Sequence, residues 1–150
     1  MIGASIAYDL VFLVHVVAAI STVVVFIAMR VAGLAVARGT DGAVQRARFP
    51  QRRNWGARIL HLLPVTGLIM SLTGDSGVSL TRPWIGVGLL CYVLAAGHLE
   101  ARTLPMESVI SEVISHEGVA SAQQGRSFVR SVDVLLGLVG VALIAMLVQF

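Results

Sequence analysis

The sequence contains no lysine, a single cysteine and few charged residues of either sign, and each shortage narrows what the chain can be. Charged residues make up 13% of the 150 residues, whereas hydrophobic residues make up 57% and the mean hydropathy is +0.87. A soluble domain of 15.9 kDa cannot accommodate so apolar a composition. The lone Cys91 excludes an internal disulfide and, inside an apolar segment, is expected to be a buried, inert thiol. The composition therefore indicates an integral membrane protein.

Four apolar stretches predict an all-α fold, a transmembrane four-helix bundle that forms a single domain over residues 1–150. A span needs about 20 mainly apolar residues to cross a hydrocarbon core of about 30 Å. The expected spans cover residues 9–33, 57–78, 83–102 and 130–150. The second contains Pro64 and reaches full length only by continuing through Gly74 and Ser76. Two spans with a re-entrant pair are the alternative.

Arginine supplies all eleven basic residues, and its distribution predicts the orientation. Seven arginines fall in the first connection and three in the third, whereas the second has only Arg82 and neither terminus has any. The positive-inside rule places the first and third connections in the cytoplasm and both termini outside it, in the cell (plasma) membrane. Because these arginines lie beside spans, they argue against nucleic acid as a partner and for the lipid bilayer, with lipid head-group contact as a compatible role.

The third connection begins with a pattern typical of a short amphipathic cytoplasmic helix between Pro105 and Gly118. Apolar residues recur there at helical spacing: Val109, Ile110, Val113 and Ile114. Polar residues occupy the opposite side: Glu107, Ser111, Glu112 and Ser115. Residues 118–127, rich in glycine, serine and glutamine, then predict a flexible loop.

Local signals predict where the second, third and fourth helices begin. Asn54 is expected to cap the second helix, and Pro83 falls in the first turn of the third, where its missing N–H costs nothing. Asp133 is expected in the first turn of the fourth, where the helix dipole favours a negative charge, with Arg130 three residues back. Gly137 and Gly140 in that helix are expected to serve packing.

Three histidines lie one in each of the first three spans: His15, His61 and His98. An ionisable or ligating side chain inside a membrane segment is costly and marks a candidate functional site. His15 shares its side of the helix with small and polar residues, so it is expected to face the bundle interior in the outer half: Ala18, Ala19, Thr22 and Met29. His61 and His98 share the inner boundary, where such a pair can bind a metal or act as axial haem ligands.

Ordinary roles for the inner pair are the alternative, since either histidine can bond to Glu100 or to water. All three histidines are candidate cofactor-binding residues, with His15 foremost. The fourth, His116, lies in the amphipathic stretch and is expected to be solvated. No catalytic residue is predicted, because no nucleophile-and-base constellation is present, and no histidine or cysteine cluster has the spacing of a zinc site.

The chain resembles a superfamily of small membrane proteins with four or five spans, which includes the CopD copper-resistance membrane domain, HemJ-type protoporphyrinogen oxidase and an uncharacterised bacterial family. The resemblance covers nearly the full chain. It rests on His15, on Arg30 at the inner end of the first span, on Pro64-Val65-Thr66-Gly67 in the second, and on Pro83-Trp84 opening the third.

The resemblance implies that His15 has a role in binding haem b, but the chain lacks the second residue of the haem pattern. In HemJ-type enzymes the histidine matched by His15 is associated with haem b, together with a lysine about one turn past the tryptophan of the third span. The corresponding position here is near Gly88, and the chain has no lysine. This departure argues against protoporphyrinogen oxidation.

Three classes of function therefore stay open. The first and preferred one is a non-enzymatic membrane protein that acts through assembly, as a homo-oligomer or as an accessory subunit of a larger complex, with Ala28 and Ala32 spaced for close helix packing. The second is a haem b-binding redox protein that uses His15 or the inner pair. The third is transport of copper or another small solute of the CopD type, although the five methionines are scattered and no acid lies in mid-membrane.

Overall fold

The computed structural model describes residues 2–49, 54–73 and 82–148, and every element in these ranges is a helix. The helices are α1 (Ile2–Ala37), α2 (Gly42–Arg48), α3 (Leu62–Thr73), α4 (Pro83–His98), α5 (Leu104–Glu117) and α6 (Ala122–Val148). A 3-10 turn, Gly56–His61, leads into α3, and a π turn, Leu99–Thr103, joins α4 to α5. The predicted all-α class is confirmed.

Three helices are long and apolar enough to cross a membrane: Ile6–Ala37, Pro83–Glu117 and Ala122–Val148. A fourth apolar helix, Gly56–Leu72, is shorter, and its expected continuation through Gly74 and Ser76 lies outside the described residues. The fold is thus consistent with a multi-pass helical membrane protein. The fourth span stays a prediction.

Helix α1 ends in a backbone motif that sends the chain back along the bundle. Gly39 adopts a positive φ of 65°, a conformation that glycine reaches without steric cost. Its N–H donates to the carbonyl of Val36, and the N–H of Thr40 donates to that of Ala35, so the last carbonyls of the helix are satisfied. After this reversal α2 packs against α1.

The predicted third span and amphipathic helix form one continuous helix rather than two. Pro105 has no N–H to donate to the carbonyl of Ala101, and the π turn lies directly before it. The run Pro83–Glu117 has 35 residues, about 52 Å at 1.5 Å per residue, which exceeds a hydrocarbon core of about 30 Å. The run is therefore longer than one membrane crossing requires, and α5 is its C-terminal part. On it Glu107 is buried, not on the exposed side as expected.

The prediction of a loop over residues 118–127 is wrong, because α6 begins at Ala122. Ser121 and Gln124 form a reciprocal cap: the Gln124 side chain accepts from the N–H of Ser121 at 2.9 Å, and the Ser121 hydroxyl accepts from the N–H of Gln124 at 3.3 Å. Asp133 is consequently in the body of α6 rather than in its first turn. It forms an ion pair with Arg30 of α1 at 2.6 Å instead of with Arg130.

Helix α6 is antiparallel to both α1 and α4 and packs against both. Glycines allow α1 and α6 to approach each other closely. Gly33 of α1 faces Phe128 of α6, and Gly125 of α6 lies against the backbone of Val36 and Ala37 in α1. Of the residues expected to allow close packing, only Ala32 is buried among those that the structure describes. Ala28 is exposed, although Ala32 is buried. Nothing among the described residues lies within 4 Å of a Cβ built on Gly137 or Gly140.

A cluster of buried apolar side chains lies where the C-terminal half of α1, the π turn, α5 and the first half of α6 meet. Its largest fully buried side chains include Phe26, Leu99, Ile110, Ile114, Phe128 and Leu135. Most described arginines gather at the same end of the bundle, called the basic end below: Arg30, Arg38, Arg46, Arg48, Arg58, Arg102, Arg126 and Arg130. The N-terminal half of α1 instead exposes apolar side chains, among them Ile6, Leu10 and Leu13.

Candidate functional site

His15 joins α1 to α3 through one hydrogen bond, far from the basic end. Its Nδ1 lies 2.7 Å from Oγ1 of Thr66. The expected inward side of α1 is confirmed, because Ala18, Thr22 and Met29 are buried on it. Across the contact, the His15 Cε1 atom lies 3.7 Å from where a Cβ on Gly67 would stand, so the ring packs over a glycine.

The tautomer of His15 follows from the bonds that Thr66 makes. The Thr66 hydroxyl lies 2.8 Å from the carbonyl oxygen of Leu62, and because a carbonyl cannot donate, the single hydroxyl proton points there. The hydroxyl oxygen must then accept from Nδ1–H of His15. In this arrangement neutral His15 carries its proton on Nδ1 and keeps a lone pair on Nε2.

His61 belongs to a polar network at the start of α3. Its Nδ1 lies 3.0 Å from the Tyr92 hydroxyl of α4, and its Nε2 lies 3.4 Å from a Glu100 carboxylate oxygen. Arg58 donates to both oxygens of Glu100, from Nε and Nη2, at 2.7 Å each. The Arg58 guanidinium also lies 5.2 Å from the centre of the Trp55 ring. The network thus links the 3-10 turn to α4 and to the π turn.

His98 belongs to a second network, on the other side of α4. Its Nε2 lies 3.1 Å from the carbonyl oxygen of Ser131 and 2.9 Å from the hydroxyl of the same residue. Because the carbonyl can only accept, Nε2 of His98 carries a proton. The Ser131 hydroxyl also lies 2.8 Å from that of Thr103, and both residues are buried. This network joins α4, the π turn and α6.

The structure therefore brings each histidine to different partners. His61 bonds to Glu100 as the ordinary reading of the sequence expected, whereas His98 bonds to Ser131. No group of three or more histidine, cysteine or acidic side chains is placed to hold a metal ion within residues 2–49, 54–73 and 82–148. Cys91 is buried and His116 is exposed, as expected.

Sequence reasoning did not predict that Thr66, Tyr92 and Ser131 are hydrogen-bond partners of the histidines. Thr66 carried one available signal: it is a polar residue in an apolar run, four residues after Leu62, the spacing of a hydroxyl bonded back to its own helix. A further buried pair was also missed. Glu107 accepts from the Asn54 amide at 3.0 Å, while the other end of Asn54 accepts from the N–H of Ala57 at 3.2 Å, so the predicted cap is confirmed.

The structure defines a class of protein: a helical membrane-type protein whose helices are bridged by histidine, serine, threonine and carboxylate side chains. Comparison of the chain with family models, curated proteins and solved structures finds no match. The resemblance to the CopD and HemJ superfamily accordingly stays a prediction.

Proposed function

We propose that this chain is a multi-pass protein of the cytoplasmic membrane, with both termini outside the cytoplasm, that acts as a non-enzymatic component of a larger membrane assembly. The gathering of eight described arginines at the basic end supports the orientation, since arginine-rich ends stay in the cytoplasm. Arg82, near the start of α4, is the described arginine at the opposite end.

The orientation is tested by labelling an introduced cysteine. In a Cys91→Ala background, Glu117→Cys places a thiol on an exposed position at the end of α5. A membrane-impermeant maleimide added to intact cells is expected to label it only after the membrane is permeabilised. Labelling of intact cells would reverse the proposed orientation.

The observation that carries the non-enzymatic role is that His61, His98 and Glu100 at the basic end form bonds between helical elements. His61, Arg58 and Glu100 form one such group, and His98 with Ser131 forms another. Polar groups that bond helices to one another stabilise a rigid scaffold. Such a scaffold suits a subunit that presents its surface to other components.

Assembly is tested by the size of the native particle. The chain, tagged at its C-terminus and expressed at its natural level, is extracted in a mild detergent and sized, then sized again after a denaturing detergent. A mild-detergent particle larger than one chain with its micelle is expected. A single-chain particle under both conditions would contradict the accessory role.

A second candidate function, haem b binding through His15, is favoured by the Nε2 lone pair that the bond between Nδ1–H and Thr66 leaves on the ring. A histidine ligand is typically held by a hydrogen bond to its other ring nitrogen, and Thr66 supplies that bond here. His15 would be the residue that holds the haem iron, and a haem bound there would supply a one-electron redox centre. The Nε2 atom of His98, by contrast, already donates a hydrogen bond.

The haem candidate is tested by the visible spectrum of protein expressed with ample haem and purified in mild detergent. A Soret band is expected for the unmodified chain, to be lost in His15→Ala and kept in His61→Ala and His98→Ala. Thr66→Val is expected to weaken haem binding by about 10–100-fold without removing the ligand. Absence of the band in the unmodified chain would refute the haem candidate and leave the accessory role standing.

A further inference from the structure

An open groove lies between the C-terminal end of α1 and helix α2. None of the residues that bond to the histidines lines it. Its volume is about 180 Å³. Its apolar walls are Val31, Leu34 and Ala35 on α1 and Val44 on α2, and two arginines, Arg38 and Arg48, line it as well. A groove that combines apolar walls with two cations is suited to a ligand that is apolar at one end and anionic at the other.

The two arginines are available to such a ligand. Both are exposed, and neither side chain has a hydrogen bond or an ion pair with the residues that the structure describes. The acid nearest in sequence, Asp41, instead accepts from the N–H of Ala43 at 3.4 Å, at the start of α2. Arg46, on the same helix, differs from them because it donates to the carbonyl of Ile114 at 3.3 Å.

The sequence of α1 extends the groove with an apolar track. Exposed apolar side chains follow one another at spacings of three and four residues and so lie in a stripe along the helix: Ile20, Val24, Ile27 and Val31. Val31 is also a wall of the groove. The stripe therefore runs from the middle of the apolar helix to the two arginines, which is the path that an acyl chain and its head group would take.

We infer that this groove binds one anionic phospholipid, with the phosphate between Arg38 and Arg48 and an acyl chain along the exposed stripe of α1. A cavity of about 180 Å³ holds a head-group fragment, and its open side lets the remainder of the lipid lie against the helix. Guanidinium groups bind phosphate oxygens through paired hydrogen bonds, and basic side chains at the membrane surface attract anionic lipids.

The test is native mass spectrometry of the full chain in detergent, with dioleoyl phosphatidylglycerol titrated against dioleoyl phosphatidylcholine. One phosphatidylglycerol per chain is expected to be retained in preference to phosphatidylcholine. Because one basic residue near the surface is worth about five-fold in binding, the double variant Arg38→Gln/Arg48→Gln is expected to bind phosphatidylglycerol about 25-fold more weakly.

The matched control removes two exposed arginines from elsewhere at the basic end, Arg102→Gln/Arg126→Gln, and is expected to retain the lipid. Equal loss in both double variants would overturn the site in favour of a general effect of net charge. Equal retention of the two lipids by the unmodified chain would overturn it without relying on any variant. Displacement of phosphatidylglycerol by an equal concentration of inorganic phosphate would show an anion site instead of a lipid site.

Discussion

The close contact between Gly125 and α1 allows a direct test of how α1 and α6 pack. A Cβ on Gly125 would stand 2.8 Å from the Ala37 Cα and 2.8 Å from the Val36 carbonyl carbon. Both are backbone atoms near the end of a helix, so neither can rotate out of the way. Gly125→Ala must therefore push α6 away from α1 or distort the last turn of α1.

The expected loss of folding free energy in Gly125→Ala is the difference between two effects. Overpacking in a close interface costs about 1–3 kcal/mol, whereas alanine in place of glycine inside a helix gains at most about 1 kcal/mol. The gain is small at this position, because Gly125 lies in the first turn of α6. A net loss of about 1–2 kcal/mol follows, and at about 2–4 °C per kcal/mol the apparent Tm should fall by about 2–8 °C.

The assay is thermal unfolding in one detergent, followed by size-exclusion chromatography of the surviving fraction, with two comparison variants. Gly33→Ala should lose less, because its Cβ would meet side-chain atoms of Phe128 and Val129, and side chains are freer to adjust than the helix backbone that Gly125→Ala would meet. Gly137→Ala, on α6 itself, should lose nothing, because its Cβ would meet no described atom within 4 Å. If Gly125→Ala proved as stable as Gly137→Ala, the close approach of α1 and α6 would be refuted.

The same assay checks three further expectations. Ser121→Ala should lower the stability by about 0.5–2 kcal/mol because it removes the cap of α6. The control Gln123→Ala, at an exposed neighbouring position, should change the stability little, and equal effects of the two variants would contradict the cap. Glu107→Gln should keep the acceptor for Asn54 and unfold near the wild-type temperature, and Glu107→Ala should lose about 1–3 kcal/mol; a Gln variant as unstable as the Ala variant would contradict this. Ser131→Ala should also lose about 1–3 kcal/mol, since it leaves the buried Thr103 hydroxyl without this partner while His98 keeps its bond to the Ser131 carbonyl, and an unchanged Tm would show that the Ser131 hydroxyl contributes nothing.

Much of the fold was predictable because it depends on local sequence. Asn54 and Pro83 start their helices as expected, and the inward side of α1 follows from helical spacing. The start of α6 was equally local and was nevertheless missed. Glycine, serine and glutamine suggest a loop by composition, but Ser121 followed three residues later by Gln124 is a capping pattern, and position outweighs composition there.

The partners of the histidines and of Asp133 were not predictable in the same way. Arg30 and Asp133 are separated by 103 residues, so their pairing depends on how α1 and α6 are rotated and shifted against each other. That rotation is set by Gly33 and Gly125, whose close contacts become visible only when both helices are in place. A sequence can therefore assign His98 to a helix face but cannot choose Ser131 as its partner.

His15 has two roles that a single substitution would confuse. The bond to Thr66 bridges α1 and α3 in the half of the bundle away from the basic end. His15→Ala removes both this bridge and the Nε2 atom, so a lost Soret band alone could reflect loosened helices. Thr66→Val removes the bridge and keeps Nε2. If the two variants lose stability equally but only His15→Ala loses the band, the ligand role is separate from the bridge; if both lose the band completely, the bridge alone accounts for the result.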